Sequence, residues 1–172
     1  MELWELIARE RIRDSLARYT WSGDALRLDE LALAFHEDGE LEVRGQPPRR
    51  GRQAIIEFLG GVSPGGGAPP GTPSSAPPGP SAGATSPAAS AGPGPRRIVR
   101  HNLANIRFLE ISPDEARVAS YFTVVTEIGL DHYGRYRDTF VPVGDEWLIR
   151  HRYVSTDWRA PDSTMAPPSS IR

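Results

Sequence analysis

Histidine is the side chain in this sequence best suited to moving protons near neutral pH. A neutral imidazole with its ordinary pKa of about 6.5 is a usable general base. The chain has four histidines: His36, His101, His132 and His151. No two of them stand four residues apart on a predicted helix, which is the spacing typical of helical zinc sites. The histidines therefore indicate proton transfer rather than a metal centre.

Two missing residue types exclude several catalytic classes. The chain has no cysteine, which excludes disulfides, thiolate nucleophiles and cysteine-ligated zinc. All 20 Lys+Arg residues are arginine, so neither a Schiff-base lysine nor the lysine of a P-loop is present. The lysine deficit is best interpreted as codon bias, and the exclusions hold regardless.

Composition sets the broad class of the protein. A length of 172 residues predicts one domain, and a 38% hydrophobic content suits a globular chain that also carries a polar segment. A net charge of -2 and a pI of about 6.1 give no electrostatic support for nucleic-acid binding. No apolar run is long enough to span a membrane, and residues 1–5 do not resemble a signal peptide. We expect a cytoplasmic protein.

One segment separates the chain into two well-patterned halves. Residues 60–95 are Gly, Pro, Ser, Ala or Thr apart from Val62. Such a segment has no apolar surface to offset its ordering entropy, so residues 60–96 are predicted to be a disordered insert. Residues 61–65 match the nucleophile-elbow motif of hydrolases, but that motif needs a strand before it and a helix after it. The match is interpreted as a chance product of the biased composition.

Apolar periodicity predicts helices before the insert and strands after it. The predicted elements are a helix over 2–21, a break at 22–24, a second helical stripe at 28, 31, 32 and 35, a turn at 37–39, a strand over 40–44, a helix over 52–59, and strands over 98–111, 116–130, 135–143 and 147–158. The turns at 112–114, 131–134 and 144–145 make the last four strands a meander. The fold class is therefore α+β, a cone-shaped bent antiparallel sheet with three N-terminal helices packed on its concave face. This single domain spans 1–158, and 159–172 is predicted to be a flexible tail.

Several segments resemble the SnoaL-like domains of the nuclear transport factor 2-like superfamily. They are 18–24, 28–31, 35–39, 51–55, 100–105, 134–138, 145–147 and 157–158. The resemblance covers nearly the whole chain outside the insert and tail, and it lies in order and spacing rather than in one motif. It implies the cone fold, a pocket for a small organic molecule, and a homodimer formed through the sheet.

The resemblance also implies a candidate site. Scytalone dehydratase, hexachlorocyclohexane dehydrochlorinase and bile-acid dehydratase carry an aspartate between the first two helices and a histidine that opens the long strand. Asp24 and His101 match those places, and Tyr19 matches a tyrosine of bile-acid dehydratase. The implied chemistry has His101 removing a proton from carbon, Asp24 orienting the imidazole, and Tyr19 bonding the developing oxyanion or departing oxygen. No cofactor and no metal are expected.

The substrate-binding walls are predicted from apolar residues on the elements around the cavity. They are Phe35, Val43, Phe58, Phe122 and Tyr136. The expected ligand is a small organic molecule, polyketide-like or steroid-like, and no nucleic acid or membrane partner is expected.

Each catalytic candidate has an ordinary alternative. Asp24 precedes a predicted helix and could serve as its N-cap. Tyr19 completes the apolar stripe of the first helix and could be plain core. His101 follows Arg100 and could be a solvated strand end. A contact between Asp24 and His101 inside a closed cavity would discriminate between these interpretations.

Three functions are compatible with the sequence. The first is a cofactor-independent lyase or isomerase, and the second is a non-catalytic ligand-binding module of the same fold. The third is a hydrolase in which the Asp–His pair activates water, for which Glu127 is the candidate second acid. Asp138 shares a strand face with Tyr136 and is expected to pair with an arginine.

Overall fold

The computed structural model describes residues 1–62 and 98–165. Three helices and six strands follow one another along the chain. They are α1 (Leu3–Asp24), α2 (Leu28–Ala32), β1 (Phe35–Val43), β2 (Arg49–Arg50), α3 (Arg52–Val62), β3 (Arg100–Ile111), β4 (Ala116–Thr126), β5 (Gly129–Val143) and β6 (Glu146–Arg159). Most of the predicted insert, residues 63–96, lies outside the described residues. Its first residues, 60–62, instead complete α3.

The six strands form one curled, unclosed sheet in the order β2-β1-β6-β5-β4-β3. The meander β3 to β6 is antiparallel throughout, as its short turns require. β1 pairs with β6 in parallel, so one pair departs from the expected antiparallel pattern. Helix α1 packs on β6, where the Ser15 hydroxyl donates to the Trp147 carbonyl. The expected α+β cone with helices on the concave face is confirmed.

Helix α1 continues past its predicted end. Ile12, Leu16 and Tyr19 are buried, as their spacing predicted. Residues 22–24 continue the helix rather than break it. Gly23 lets α2 approach closely, since a Cβ there would lie 3.0 Å from the Leu31 side chain. The chain turns later, at Leu26, which adopts a positive φ of 57°.

The second apolar stripe divides between a short helix and a strand. Leu31 and Ala32 are buried on α2, but Phe35 begins β1 rather than continuing the helix. A register shift between Phe35 and Glu40 absorbs the predicted turn within the strand. Gly39 permits this, since a Cβ there would lie 2.8 Å from a backbone carbonyl oxygen of β6.

The predicted turn at 131–134 is wrong, because those residues lie inside β5. The chain turns earlier, after Thr126, and Gly129 there adopts a φ of 90°. Val124 pairs with His132 and Val125 pairs with Leu130, so Asp131 is an extra residue on its strand. This arrangement is a β-bulge, a device that re-aims side chains.

The first residues after β6 pack against the sheet. Ala160 and Ser163 are buried, and the Ala160 amide donates to the Asp131 carbonyl at 2.7 Å. The predicted flexible tail therefore includes a packed segment through 165. No helix in the described part of the chain is long and apolar enough to cross a membrane.

Candidate functional site

A cavity of about 190 Å³ lies between the three helices and the concave face of the sheet. Leucine, valine and phenylalanine side chains form most of its wall. Its polar members are Tyr19, Thr20, Gln46, His101, His132, Tyr136 and Thr156. A small, largely apolar space with a few convergent polar groups is typical of a small-molecule site.

Asp24 and His101 form a two-point contact at the edge of this cavity. Asp24 is the last residue of α1, and His101 is the second residue of β3. The Asp24 carboxylate lies 2.6 Å from His101 Nδ1 and accepts a hydrogen bond of 3.0 Å from the His101 backbone amide. The side chains are 12% and 21% exposed, respectively. The contact fixes the ring so that Nδ1 faces the carboxylate.

The ordinary alternatives for this pair do not match the geometry. The N-cap of α2 is Arg27, so Asp24 does not cap that helix. Because an ionised carboxylate only accepts hydrogen bonds, the neutral ring of His101 carries its proton on Nδ1. Nε2 has no hydrogen-bond partner within 1–62 and 98–165, and His101 lines the cavity. An imidazole held in this way presents a basic nitrogen to a ligand.

Tyr19 lines the same cavity and is part of a buried network. The Arg152 guanidinium lies over the rings of Tyr19 and Tyr136, 4.1 Å and 4.2 Å from their centroids. It also forms two 2.8 Å hydrogen bonds with Asp138, which confirms the expected arginine partner of that aspartate. Burial raises the pKa of Tyr19, and it raises the pKa of Tyr136 well above 10. Both hydroxyls therefore stay protonated and can donate hydrogen bonds.

The predicted wall residues occupy different places. Val43, Phe58, Phe122 and Tyr136 line the cavity. Phe35 is fully buried and is not among the lining residues; it packs edge-on against the Tyr19 ring at 5.8 Å. It lies in the core, one layer behind the cavity wall.

A second Asp–His pair is formed by Asp131 and His132, which were predicted to lie in a turn, and its histidine lines the cavity. His132 Nδ1 is 2.6 Å from the Asp131 carboxylate, and the residues are 8% and 0% exposed. Asp131 also accepts hydrogen bonds from Ser163 at 2.6 Å and Thr126 at 3.2 Å. Burial lowers the pKa of His132 despite the opposing effect of the carboxylate. Gly129 is the signal that could have placed the turn correctly, because glycine adopts turn conformations more readily than Asp131 does.

The remaining candidates lie away from the cavity. His36 Nδ1 is 3.1 Å from the exposed Arg150 guanidinium. His151 Nε2 is 3.0 Å from Glu42 and 3.8 Å from Glu40. The two glutamates alternate along β1 with Leu41 and Val43, which line the cavity. Glu127, the candidate acid for a hydrolase, is not among the lining residues.

Comparison with known proteins identifies relatives of the same architecture. A family model described as a SnoaL-like domain matches residues 4–153. None of the curated protein sequences matches the chain.

Three solved structures illustrate the similarity. A scytalone dehydratase-like protein from Novosphingobium aromaticivorans is 21% identical, with a TM-score of 0.65 over 91% of this chain and 88% of that one. ActVI-ORFA from Streptomyces coelicolor is 17% identical, with a TM-score of 0.64 over 87% and 96%. A Catenulispora acidiphila protein in complex with S-DNPA is 19% identical, with a TM-score of 0.62 over 87% and 92%. At these identities the likeness shows a shared fold.

Proposed function

Because this chain belongs to the SnoaL-like domain family, we propose that it is a cofactor-independent lyase or isomerase that acts on a small organic substrate. The observation that carries this proposal is the Asp24–His101 contact, 2.6 Å long, at the wall of a largely apolar cavity. Solved relatives of this fold include a scytalone dehydratase-like protein and a ligand complex, which support a small-molecule role.

The proposed reaction begins at His101 Nε2. This nitrogen removes a proton from a carbon next to a carbonyl group, and the electron pair moves onto the carbonyl oxygen to give an enolate. Asp24 stabilises the imidazolium that forms. Tyr19 donates a hydrogen bond to the enolate oxygen, because its hydroxyl is protonated.

The second half of the reaction restores the resting state. In an elimination, the enolate electrons form a carbon–carbon double bond and expel a β-hydroxyl group, which takes the proton from the His101 imidazolium and leaves as water. In an isomerisation, the imidazolium instead returns its proton to a different carbon. Atoms and charge balance in both cases without an additional reactant.

A screen of cyclic β-hydroxyketones, followed by the ultraviolet absorption of the product enone, tests this function. We expect turnover by the wild-type protein and a loss of about 10²–10⁴-fold in kcat for His101→Ala. Asp24→Asn should also lower kcat. His151→Ala changes a histidine away from the cavity, so it serves as the matched control and should retain full turnover. Enone formation that persists in His101→Ala would exclude His101 as the base. A wild-type protein that binds these compounds without forming enone would leave a ligand-binding module.

We also propose that the protein forms a homodimer through the outer face of the sheet. Tyr121 and Tyr133 are 51% and 40% exposed, and Trp158 is 36% exposed and stacks on Tyr133. Exposed aromatic clusters of this kind favour an interface. Light scattering should give twice the monomer mass of 18.9 kDa, and a monomer at micromolar concentration would contradict the proposal.

A further inference from the structure

We propose that His132 is a second ligand-contacting residue of this cavity, one that accepts a hydrogen bond from a hydroxyl group which the substrate keeps throughout the reaction. This inference rests on the proposed function, since it takes the same cavity as the substrate site. It adds a residue that the catalytic scheme does not use and narrows the substrate class.

The bulge in β5 explains how two adjacent residues can form this pair. Neighbouring side chains on a regular strand point to opposite faces and cannot bond one another across the sheet. Asp131 has no partner in the β4 register, so the local backbone departs from that alternation. The result is an Asp131–His132 contact of 2.6 Å with both side chains buried.

The surroundings of Asp131 fix the orientation of the His132 ring. Thr126 and Ser163 donate hydrogen bonds to the Asp131 carboxylate. An ionised carboxylate only accepts hydrogen bonds, so His132 Nδ1 donates to it. Phe122 packs edge-on against the imidazole at 5.8 Å and limits its rotation.

His132 Nε2 is therefore an acceptor on the cavity wall. It has no hydrogen-bond partner within the described ranges, and His132 lines the cavity. Burial and the nearby His101 oppose the protonated ring, whereas Asp131 favours it, and the net effect lowers the pKa of His132. A neutral ring at pH 7 leaves Nε2 with a lone pair that only a donor can satisfy.

The set of polar groups in the cavity defines a ligand class. Tyr19 and Tyr136 hold protonated hydroxyls, which suit a carbonyl oxygen, and His132 offers an acceptor, which suits a hydroxyl. The walls between them are apolar. The ligand would be a largely apolar molecule that carries both a carbonyl group and a hydroxyl group. The hydroxyl at His132 is a retained group, because a neutral acceptor cannot supply the proton that a leaving hydroxyl needs.

Binding of naphthol and of its methyl ether to the full-length protein, measured by calorimetry, tests this inference without any turnover. The ether keeps the rings and lacks the hydroxyl donor. We expect the wild-type protein to prefer naphthol by roughly 3- to 10-fold, the value of one net hydrogen bond. His132→Phe should abolish the preference, whereas His132→Gln should restore part of it because its amide oxygen can accept. His151→Phe is the matched control and should keep the preference.

A second readout separates hydrogen bonding from a change in folding. In ¹⁵N spectra of the wild-type histidine rings, we expect naphthol to shift the unprotonated Nε2 of His132 and the ether to leave it in place. No saturable naphthol binding, an unchanged preference in His132→Phe, or a preference that disappears in His101→Phe instead would each overturn the inference. Failure of the His101→Ala turnover test would overturn the proposed function and leave this binding result intact.

Discussion

At the scale of single residues, the cavity is defined by two imidazoles, each of which is held by its own carboxylate. Asp24 reaches His101 across the fold, from the end of a helix to the start of a strand, and also binds its backbone amide. Asp131 lies beside His132 in sequence and depends on a strand irregularity. The first pair is set by packing of whole elements, and the second by local backbone geometry.

His132 should make the stability of the protein depend on pH. Its pKa in the folded protein lies below the ordinary value of about 6.5 that it has when unfolded. Between these two values the unfolded chain binds the additional proton, so the free energy of unfolding falls as pH drops below about 6.5. Urea denaturation at a series of pH values from neutral to mildly acidic measures this slope.

The variant His132→Gln serves as the comparison for that slope. It removes the titrating ring, so its stability should change less with pH than that of the wild-type protein. Asp131 does not interfere, because its pKa is lowered from 3.8 and it titrates in a more acidic window. Equal slopes in both proteins would show that other groups carry the pH dependence.

Sequence reasoning reached one of the two pairs for a physical reason. Asp24 and His101 lie at element ends whose order is visible in the apolar pattern, so a resemblance could bring them together. Asp131 and His132 are polar residues whose types predict a turn, and nothing in their types indicates a bulge. Arg152, beside His151, was likewise hidden, because a buried arginine is recognisable only when its partners are known.

At the scale of elements, close approaches of backbone fix where the strands can run. At Gly134 on β5 a Cβ would lie 2.0 Å from the Ser155 carbonyl oxygen and 2.8 Å from the Phe122 ring. Phe122 lines the cavity. The absence of a side chain at one position therefore sets both the β5–β6 contact and the position of a cavity wall.

Gly134→Ala should strongly destabilise the protein. The added methyl group meets backbone that cannot move without breaking strand pairing, so we expect a loss of at least about 3 kcal/mol, beyond the usual range for overpacking. Gly61→Ala is the control, since that glycine lies in α3 with nothing within 4 Å of its added Cβ. It should be neutral or stabilising by about 0.5–1 kcal/mol. Thermal unfolding of both variants measures this difference in stability, and equal melting temperatures would refute the steric argument.

The elements themselves were predictable in order and less so in their boundaries. Two helices, a strand, a third helix and a four-stranded meander appear in the sequence pattern, and the structure has them in this order. The short α2 and the early start of β1 were not predictable, because Phe35 fits a helical stripe and a strand equally well. Pairing with β6 decides between them, and that contact is distant in sequence.

At the scale of the whole molecule, Arg152 ties the layers together. It lies on β6, pairs with Asp138 on β5, and contacts the ring of Tyr19 on α1. Arg152 and Asp138 are both fully inaccessible in their side chains. A buried cation of this kind depends on its partner, since an uncompensated charge in the core is costly.

Asp138→Asn should therefore cost roughly 3–5 kcal/mol of unfolding free energy, the range for removal of one partner of a buried pair. Asp157→Asn is the matched control, because its pair with Arg135 at 2.9 Å is partly exposed and such pairs contribute about 0–1 kcal/mol. Denaturant unfolding of the two variants gives both numbers. A similar small loss in each would mean that the core tolerates a lone guanidinium between two tyrosines.

The parallel pairing of β1 with β6 has a consequence for synthesis on the ribosome. Within the described sheet β1 pairs otherwise only with β2, which is two residues long. The strand that completes its edge is the last of the sheet to be translated. Until then the nascent chain carries an unpaired strand edge and the exposed apolar stripe of α1, both of which invite association with other chains. Translation of β6, rather than of the helices that precede it, commits this protein to its fold.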